Sequence, residues 1–595
     1  MEDIILDKSD FNKSNWQEVI SSCDKKECLQ YSTIFFNRAK EAESNGDSKN
    51  KTIFQILGLI TSPILRESKE KPFVLEENFD NIKDLYLGIL VDLTPDIFDA
   101  EMRARISDLL WIKKKDYKCA LNAIDSYIES SKILEDPESW TSSFYRIRRA
   151  VDLAASLGKK SEKFETTIKY MEAILETYNG EDPKFLSIKI MELLQEYKKG
   201  DTEKYSLLSE KIALKAENYH DWWKAEHAWK TKAKWHRLAG EIDQEREALI
   251  RRVETYVKNA EDDVNKNPPD YINACGRIEN AIQEYRKIGN EEKRIENLHK
   301  LLLEYQPKST LQMFPIPLEI SIPEEQIKKA KEFVRGKTLQ DAIFTLSSIT
   351  HPPEISKLKE DVEKTTIEYP MANLFYNKLV NEEGKQIGSG GSILSSNPHE
   401  REVATNNNMF KHAKIHHQFI YLGIIEPAKQ QIIQDHDLIT TQDLFPLVFN
   451  NPFVPVGREF IYASGLFAGL NGDFLTSIHL LIPQLENSIR YILTNNGIIV
   501  SGLDQNGTQN EYDLNITLKM KELNEIMPED IVFDLRGLLI ERYGSNLRNR
   551  MAHGLIDYNE YKFSLEIRYL WWLTLSLCYL WKVASRCSSE KEAEQ

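Results

Sequence analysis

The sequence predicts an all-α protein: a helical-repeat array over 1–306, a linker and small helical region over 307–408, and a C-terminal helical bundle over 409–595 that carries one small β-hairpin. Three observations predict it. Amphipathic helices stopped by glycines recur through the first half. The helical texture breaks in a proline-rich stretch from Phe314 to Pro323. An apolar run from Tyr569 to Trp581 then supplies a helix that a core must cover. At 595 residues the chain is too long for one core, and its length fits roughly two to four domains.

In the first half, residues 144–157 place apolar and charged positions at helical spacing and stop at Gly158. Similar stops follow at Gly200, Gly240 and Gly289. A spacing of about 40–50 residues is that of helical hairpins, each burying its apolar face on the next. The pattern resembles a tetratricopeptide-like solenoid, although it lacks a strict consensus, so an irregular helical bundle remains the alternative. Such arrays present extended surfaces, and this one is expected to sense a trigger or dock a protein partner. Trp222, Trp223, Trp229 and Trp235, with His220, His227 and His236, read either as repeat packing or as a groove for a ligand.

The glycine-rich segment at 388–391 lacks the spacing of a phosphate-binding loop and reads as a flexible loop, with a polar stretch after it over 395–408. A hairpin is expected from Ile498–Ser501 to Glu511–Asp513, turning at Asp504 to Gly507. The run at 569–581 is shorter than the roughly 20 residues of a membrane span and is expected in a core. The acidic, polar start predicts no secretory leader. The six cysteines, at 23, 28, 119, 275, 578 and 587, form no CxxC pair, which predicts reduced thiols in the cytoplasm and no zinc site. A net charge of −16 excludes a basic coat for long nucleic acid, so any such contact must be local.

The richest passage is 543–555. Gly544 is expected to break a preceding helix, Ser545 or Asn546 to cap a new one, and Gly554 to stop it after about two turns. At helical spacing Asn549 and His553 share a face, and the long side chain of Arg548 can swing to it. A guanidinium, an amide and an imidazole near a helix N-terminus suit phosphodiester chemistry without metal or cofactor. The bland alternative is a capped, solvated surface turn.

The spacing Arg548, Asn549 and His553 resembles the signature of the HEPN superfamily. The block from Gly544 to Leu555 is most similar to a branch catalogued only as a domain of unknown function. An upstream helix bearing Glu486 and Arg490, the helix at 533–539 and the apolar helix after the motif fit the same branch. The resemblance covers roughly 409–584. It implies a helical bundle that homodimerises with its motifs facing each other, and a metal-independent endoribonuclease of RNA processing, toxin–antitoxin systems or phage defence. Carried onto this chain, His553 would be the general acid or base, Arg548 would neutralise the scissile phosphate, and Asn549 would orient it. The RNA 2′-hydroxyl would be the nucleophile. Some such proteins are silent scaffolds, and a plain helical-repeat adaptor is the remaining alternative.

Arg550, Arg490, His412 and His416 complete the expected site as substrate-binding residues. Glu486 and Arg490, four apart, read as a helical ion pair or as a support that lets Arg490 reach the phosphate. His412 and His416, with His417, Lys411 and Lys414, read as a solvated basic face, an RNA-backbone contact or a two-histidine metal site without a third ligand.

Overall fold

The structure is a computed structural model that describes residues 4–314, 321–374, 378–381 and 383–593. It divides into two compact units, Met1–Gln312 and Met313–Gln595. The expected linker lies at this division, and its residues 315–320 fall outside the described ones.

The first unit is built from helices that pack on their neighbours in sequence, among them Cys28–Ser44 on Ser48–Thr61, Ala100–Lys114 on Tyr117–Ile133, and Trp222–Ala239 between Thr202–Asn218 and Ile242–Asn265. Their limits are local. Asp99, Asp116, Asp201, Asp221 and Asp270 each accept a backbone amide at a helix start, which satisfies a donor the helix cannot. The four expected glycine stops all adopt positive φ.

The charged face expected along 144–157 is not solvated. Arg146, Arg148 and Arg149 are each 8% exposed in the helix Thr141–Leu157. Arg146 meets Glu101 at 2.6 Å, and Arg149 meets Asp108 at 2.7 Å. Ser130 and Tyr127 donate to the same two carboxylates. Burial alone would push Glu101 up, but Arg146 and Arg105 outweigh it and hold it at about 2. The tryptophan cluster divides. Trp229 and Trp235 are buried as packing, Trp222 donates to Asp262 at 2.6 Å, and Trp223 stays exposed beside Phe185 and His227.

In the second unit the expected boundary at 408/409 is corrected, because the continuous helix Pro398–Ile420 runs across it. The small helical region is not separate either. Ala342, Ile343 and Leu346 of the helix Leu339–Ser347 share one core with Trp571 and Trp572, and the Trp572 indole donates to the Leu346 carbonyl at 2.8 Å. Apolar side chains from 334 to 578 therefore bury one another in a single cluster. The apolar run lies at the centre of it, in the helix Leu565–Ala593. Among the described residues no helix is long and apolar enough to cross a membrane.

The expected hairpin forms as Ser501–Leu503 paired antiparallel with Gln509–Glu511, turning at Gly507 with φ 80°. The segment at 388–391 is not wholly a loop. Gly388 lies in the strand Gln386–Ser389, paired with Lys378–Val380, where Tyr543 packs close against it. A further short pair, Ile64–Leu65 with Phe73–Val74, occurs in the first unit. Among the described residues Cys23, Cys28, Cys119, Cys275 and Cys578 are buried and form no disulfide, while the Cys587 side chain lies outside the described residues.

Candidate active site

The motif occupies the short helix Leu547–Ala552, with His553 as its C-cap. Gly544 does not break the helix before it, because Glu529–Leu539 has already ended. Its role is close approach. The Ser545 amide donates to the Gly537 carbonyl at 2.8 Å, and a Cβ on Gly544 would collide with that same oxygen. Neither expected cap forms. The Ser545 hydroxyl is buried without a partner among the described residues, and Asn546, at φ 50°, instead accepts from the Asn549 amide at 2.8 Å. The stop at Gly554 is as expected. Its amide reaches the Met551 carbonyl at 3.0 Å and that of Leu555 reaches Arg550 at 2.8 Å, the pair of bonds that closes a helix through a left-handed residue. A helix this short supplies little dipole, so the expected anion site at its N-terminus is replaced by side chains.

Glu486 organises them. It projects from the long helix Phe474–Asn495, anchored by buried Leu481, Leu485 and Ile489. Its carboxylate accepts from Arg548 Nε at 3.0 Å and Nη2 at 3.2 Å, from Arg490 at 3.1 Å and from the Leu514 amide at 3.2 Å. Arg490 also donates to the Tyr512 carbonyl at 3.2 Å, and the remaining Arg548 nitrogen donates to Asn549 at 3.0 Å. Asn549 and Asn515 exchange amide bonds at 3.2 and 3.4 Å. The side chains of Glu486, Arg490 and Arg548 are 14%, 22% and 23% exposed, so solvent still reaches them. Two guanidinium groups share the Glu486 carboxylate in a semi-enclosed site, and the Asp513 carboxylate stands nearby, accepting from Asn515 at 3.0 Å. The paired guanidinium groups can meet an anion, and the fixed geometry limits the reorganisation needed to do so.

The expected residues therefore separate. Arg548, Asn549 and Arg490 come together around Glu486. His553 is exposed, with no side-chain partner among the described residues. Arg550 is not the free substrate contact expected, because both its terminal nitrogens bind Glu560 at 2.6 Å, tying the motif to the helix Tyr558–Phe563. His412 and His416 do not form a solvated basic face. Burial lowers His412, and burial followed by the proximity of His417 lowers His416 to about 4, so His416 is uncharged at neutral pH and offers no cation to an RNA backbone. His417 turns inward, 2.5 Å from Asp534, which also accepts from Tyr569 at 2.9 Å. Among the described residues no group of three His, Cys, Asp or Glu could hold a metal ion.

Sequence reasoning missed the bond from Glu486 to Arg548, the amides of Asn515 and Asn546, and the capture of Arg550 by Glu560. One signal was available: Glu486 and Arg490 are the only carboxylate and the only guanidinium on an amphipathic helix, and a half-buried charge needs a partner. The identity of that partner, 62 positions away, has no local signature.

A family model described as a domain of unknown function (DUF7380) matches residues 1–166, which include the Glu101–Arg146 and Asp108–Arg149 pairs and stop far short of the motif. Comparison with curated proteins returns no match. A solved structure described as a circular tandem repeat protein with novel repeat topology and enhanced subunit contact surfaces aligns at 12% identity, over 89% of this chain and 97% of that one, with a TM-score of 0.12. A score that low carries no statement about a shared fold.

Proposed function

We propose that the second unit is a metal-independent endoribonuclease of the HEPN type, acting as a cytoplasmic homodimer in phage defence or a toxin–antitoxin system, with the helical array sensing a trigger or docking a partner. The observation that carries this reading is the contrast within the motif. Arg548 and Arg490 are fixed on Glu486, while His553, four residues beyond Asn549, has no side-chain partner to occupy it among the described residues.

In this reading the guanidinium pair meets the charge that develops on the phosphate oxygens, and Asn549 orients the group. His553 takes the proton of the RNA 2′-hydroxyl or gives one to the leaving 5′-oxygen. The 2′-hydroxyl already lies beside the phosphorus, so its attack avoids most of the entropic cost of bringing in water. Cleavage should leave a 2′,3′-cyclic phosphate and a 5′-hydroxyl. The test compares wild type with His553→Ala on total RNA, with and without EDTA, and reads the ends by mass spectrometry. Loss of cleavage in the variant, cyclic phosphate ends and indifference to EDTA are expected. Ends bearing 5′-phosphate and 3′-hydroxyl would sink the mechanism.

A second reading rests on its own observation. Arg548 spends two of its donors on Glu486, as a purely structural bridge would. A catalytically silent scaffold would keep this bridge, dimerise and cleave nothing, and Arg548→Ala would then lower stability without any activity to lose.

A further inference from the structure

In the first unit a cavity of about 330 Å³ opens between the helices Thr141–Leu157, Leu186–Tyr197 and Trp222–Ala239. Four cations line it, Arg148, Lys189, Lys230 and Lys234, against the carboxylates Glu67, Glu192 and Glu196. In a chain of net charge −16 a local positive excess is unusual. It is also incompletely neutralised, since Lys230 and Lys234, one turn apart and exposed, pair with no carboxylate among the described residues.

The fourth wall is the loop over 66–72, which joins the short strands Ile64–Leu65 and Phe73–Val74. Its Glu67 carboxylate sits between Arg148, 3.7 Å away, and Lys189, 3.6 Å away. Both separations are too long for hydrogen bonds, and the Glu67 side chain is 43% exposed. A carboxylate held this loosely fills an anion position without closing it. Glu196, by contrast, is bound at 2.6 Å by Lys69 and at 3.1 Å by Arg148.

A further polar atom is unsatisfied. Gln195 is 2% exposed and its amide nitrogen donates to the Thr231 carbonyl at 2.8 Å, which fixes the orientation. Its carbonyl oxygen is buried with no hydrogen-bond partner among the described residues. Buried acceptors are rarely left so, and a ligand hydroxyl is the group that would satisfy this one.

We propose that this cavity binds a small phosphate ester of a sugar, and that Glu67 is the chain's own stand-in for the phosphate. The incoming phosphate displaces the Glu67 carboxylate from between Arg148 and Lys189, Lys230 and Lys234 meet its remaining charge, and a sugar hydroxyl donates to Gln195. A volume near the lower end of the range for ligand cavities, about 300–1,000 Å³, favours a small molecule over a polymer. A nucleotide and a simple sugar phosphate share this chemistry. The proposal stands apart from RNA cleavage and is read by binding alone.

The test is calorimetric titration of the full chain with ATP, ribose 5-phosphate and inorganic tripolyphosphate. At least one of the two sugar phosphates should bind saturably and more tightly than tripolyphosphate, and whichever binds identifies the source. Glu67→Gln should tighten binding about fivefold, because a weak competing ion pair is removed. The double variant Lys230→Glu, Lys234→Glu should weaken it about a hundredfold, with circular dichroism confirming the fold. If that variant misfolds, Glu67→Gln decides alone, since a merely structural glutamate would give unchanged or weaker binding. Equal affinity for tripolyphosphate removes the sugar and overturns the assignment. Absence of binding by wild type and Glu67→Gln overturns it outright, as does capture of an acidic peptide where no phosphate ester binds.

Discussion

Each unit holds a cluster of arginines on carboxylates, and the two differ in burial rather than in chemistry. In the first, Glu101 and Asp108 are at most 1% exposed and each takes one arginine, with a serine or tyrosine hydroxyl completing it. In the second, Glu486 takes two arginines and keeps 14% exposure. A sealed cluster can only hold helices together. A half-open one can also meet an anion. The difference assigns the first cluster to architecture and the second to a candidate site.

The comparison breaks most sharply if the sealed cluster proves dispensable. Arg146→Ala leaves Glu101 buried without its ion-pair partner, and should cost about 3–5 kcal/mol in urea unfolding. A cost below that of Arg548→Ala, whose partly exposed partner keeps Arg490 and can recruit water, would remove the distinction. Next in size is Gly544→Ala, which forces a methyl against the Gly537 carbonyl and should cost about 1–3 kcal/mol in the second unit while sparing the first.

Acid should separate the units. His416 is lowered from 6.5 to about 4, so below pH 6.5 the unfolded chain takes a proton that the folded one refuses. That contribution is complete above pH 6.5 and is lost as the pH falls toward 4. Glu101 is lowered from 4.5 to about 2, so its contribution is complete above pH 4.5 and is lost only below it. Hydrogen exchange at pH 7 and pH 5 should therefore loosen the second unit first, and earlier loosening around Glu101 would contradict the assignment. The smallest effect is expected at His553, exposed and without a side-chain partner among the described residues. His553→Ala should change stability by no more than about 0.5 kcal/mol while reducing any RNA cleavage about 100-fold or more. A large fall in melting temperature would make the residue structural.

The sequence by itself determined the helices, several of their caps and stops, the hairpin at 501–511 and the burial of the run at 569–581. These follow from rules that act over a few residues: an aspartate ahead of a helix accepts its free amides, a glycine after it takes the left-handed turn, and an apolar run must leave water. It also brought Arg548, Asn549 and His553 to notice. Only the tertiary structure decided which charges are sealed and which are open. The arginines at 146, 148 and 149 occupy a helix face that looks solvated in sequence, yet other helices cover it and supply carboxylates. Arg550 and Arg548, two positions apart, were both expected to meet the substrate, one as a binding and one as a catalytic residue, but Glu560 holds the first and Glu486 the second. His416 looked basic until burial removed its charge. The physical reason is common to all three. A side chain's charge state and availability depend on its solvent and its partner, and both are set by segments from ten to more than a hundred residues away.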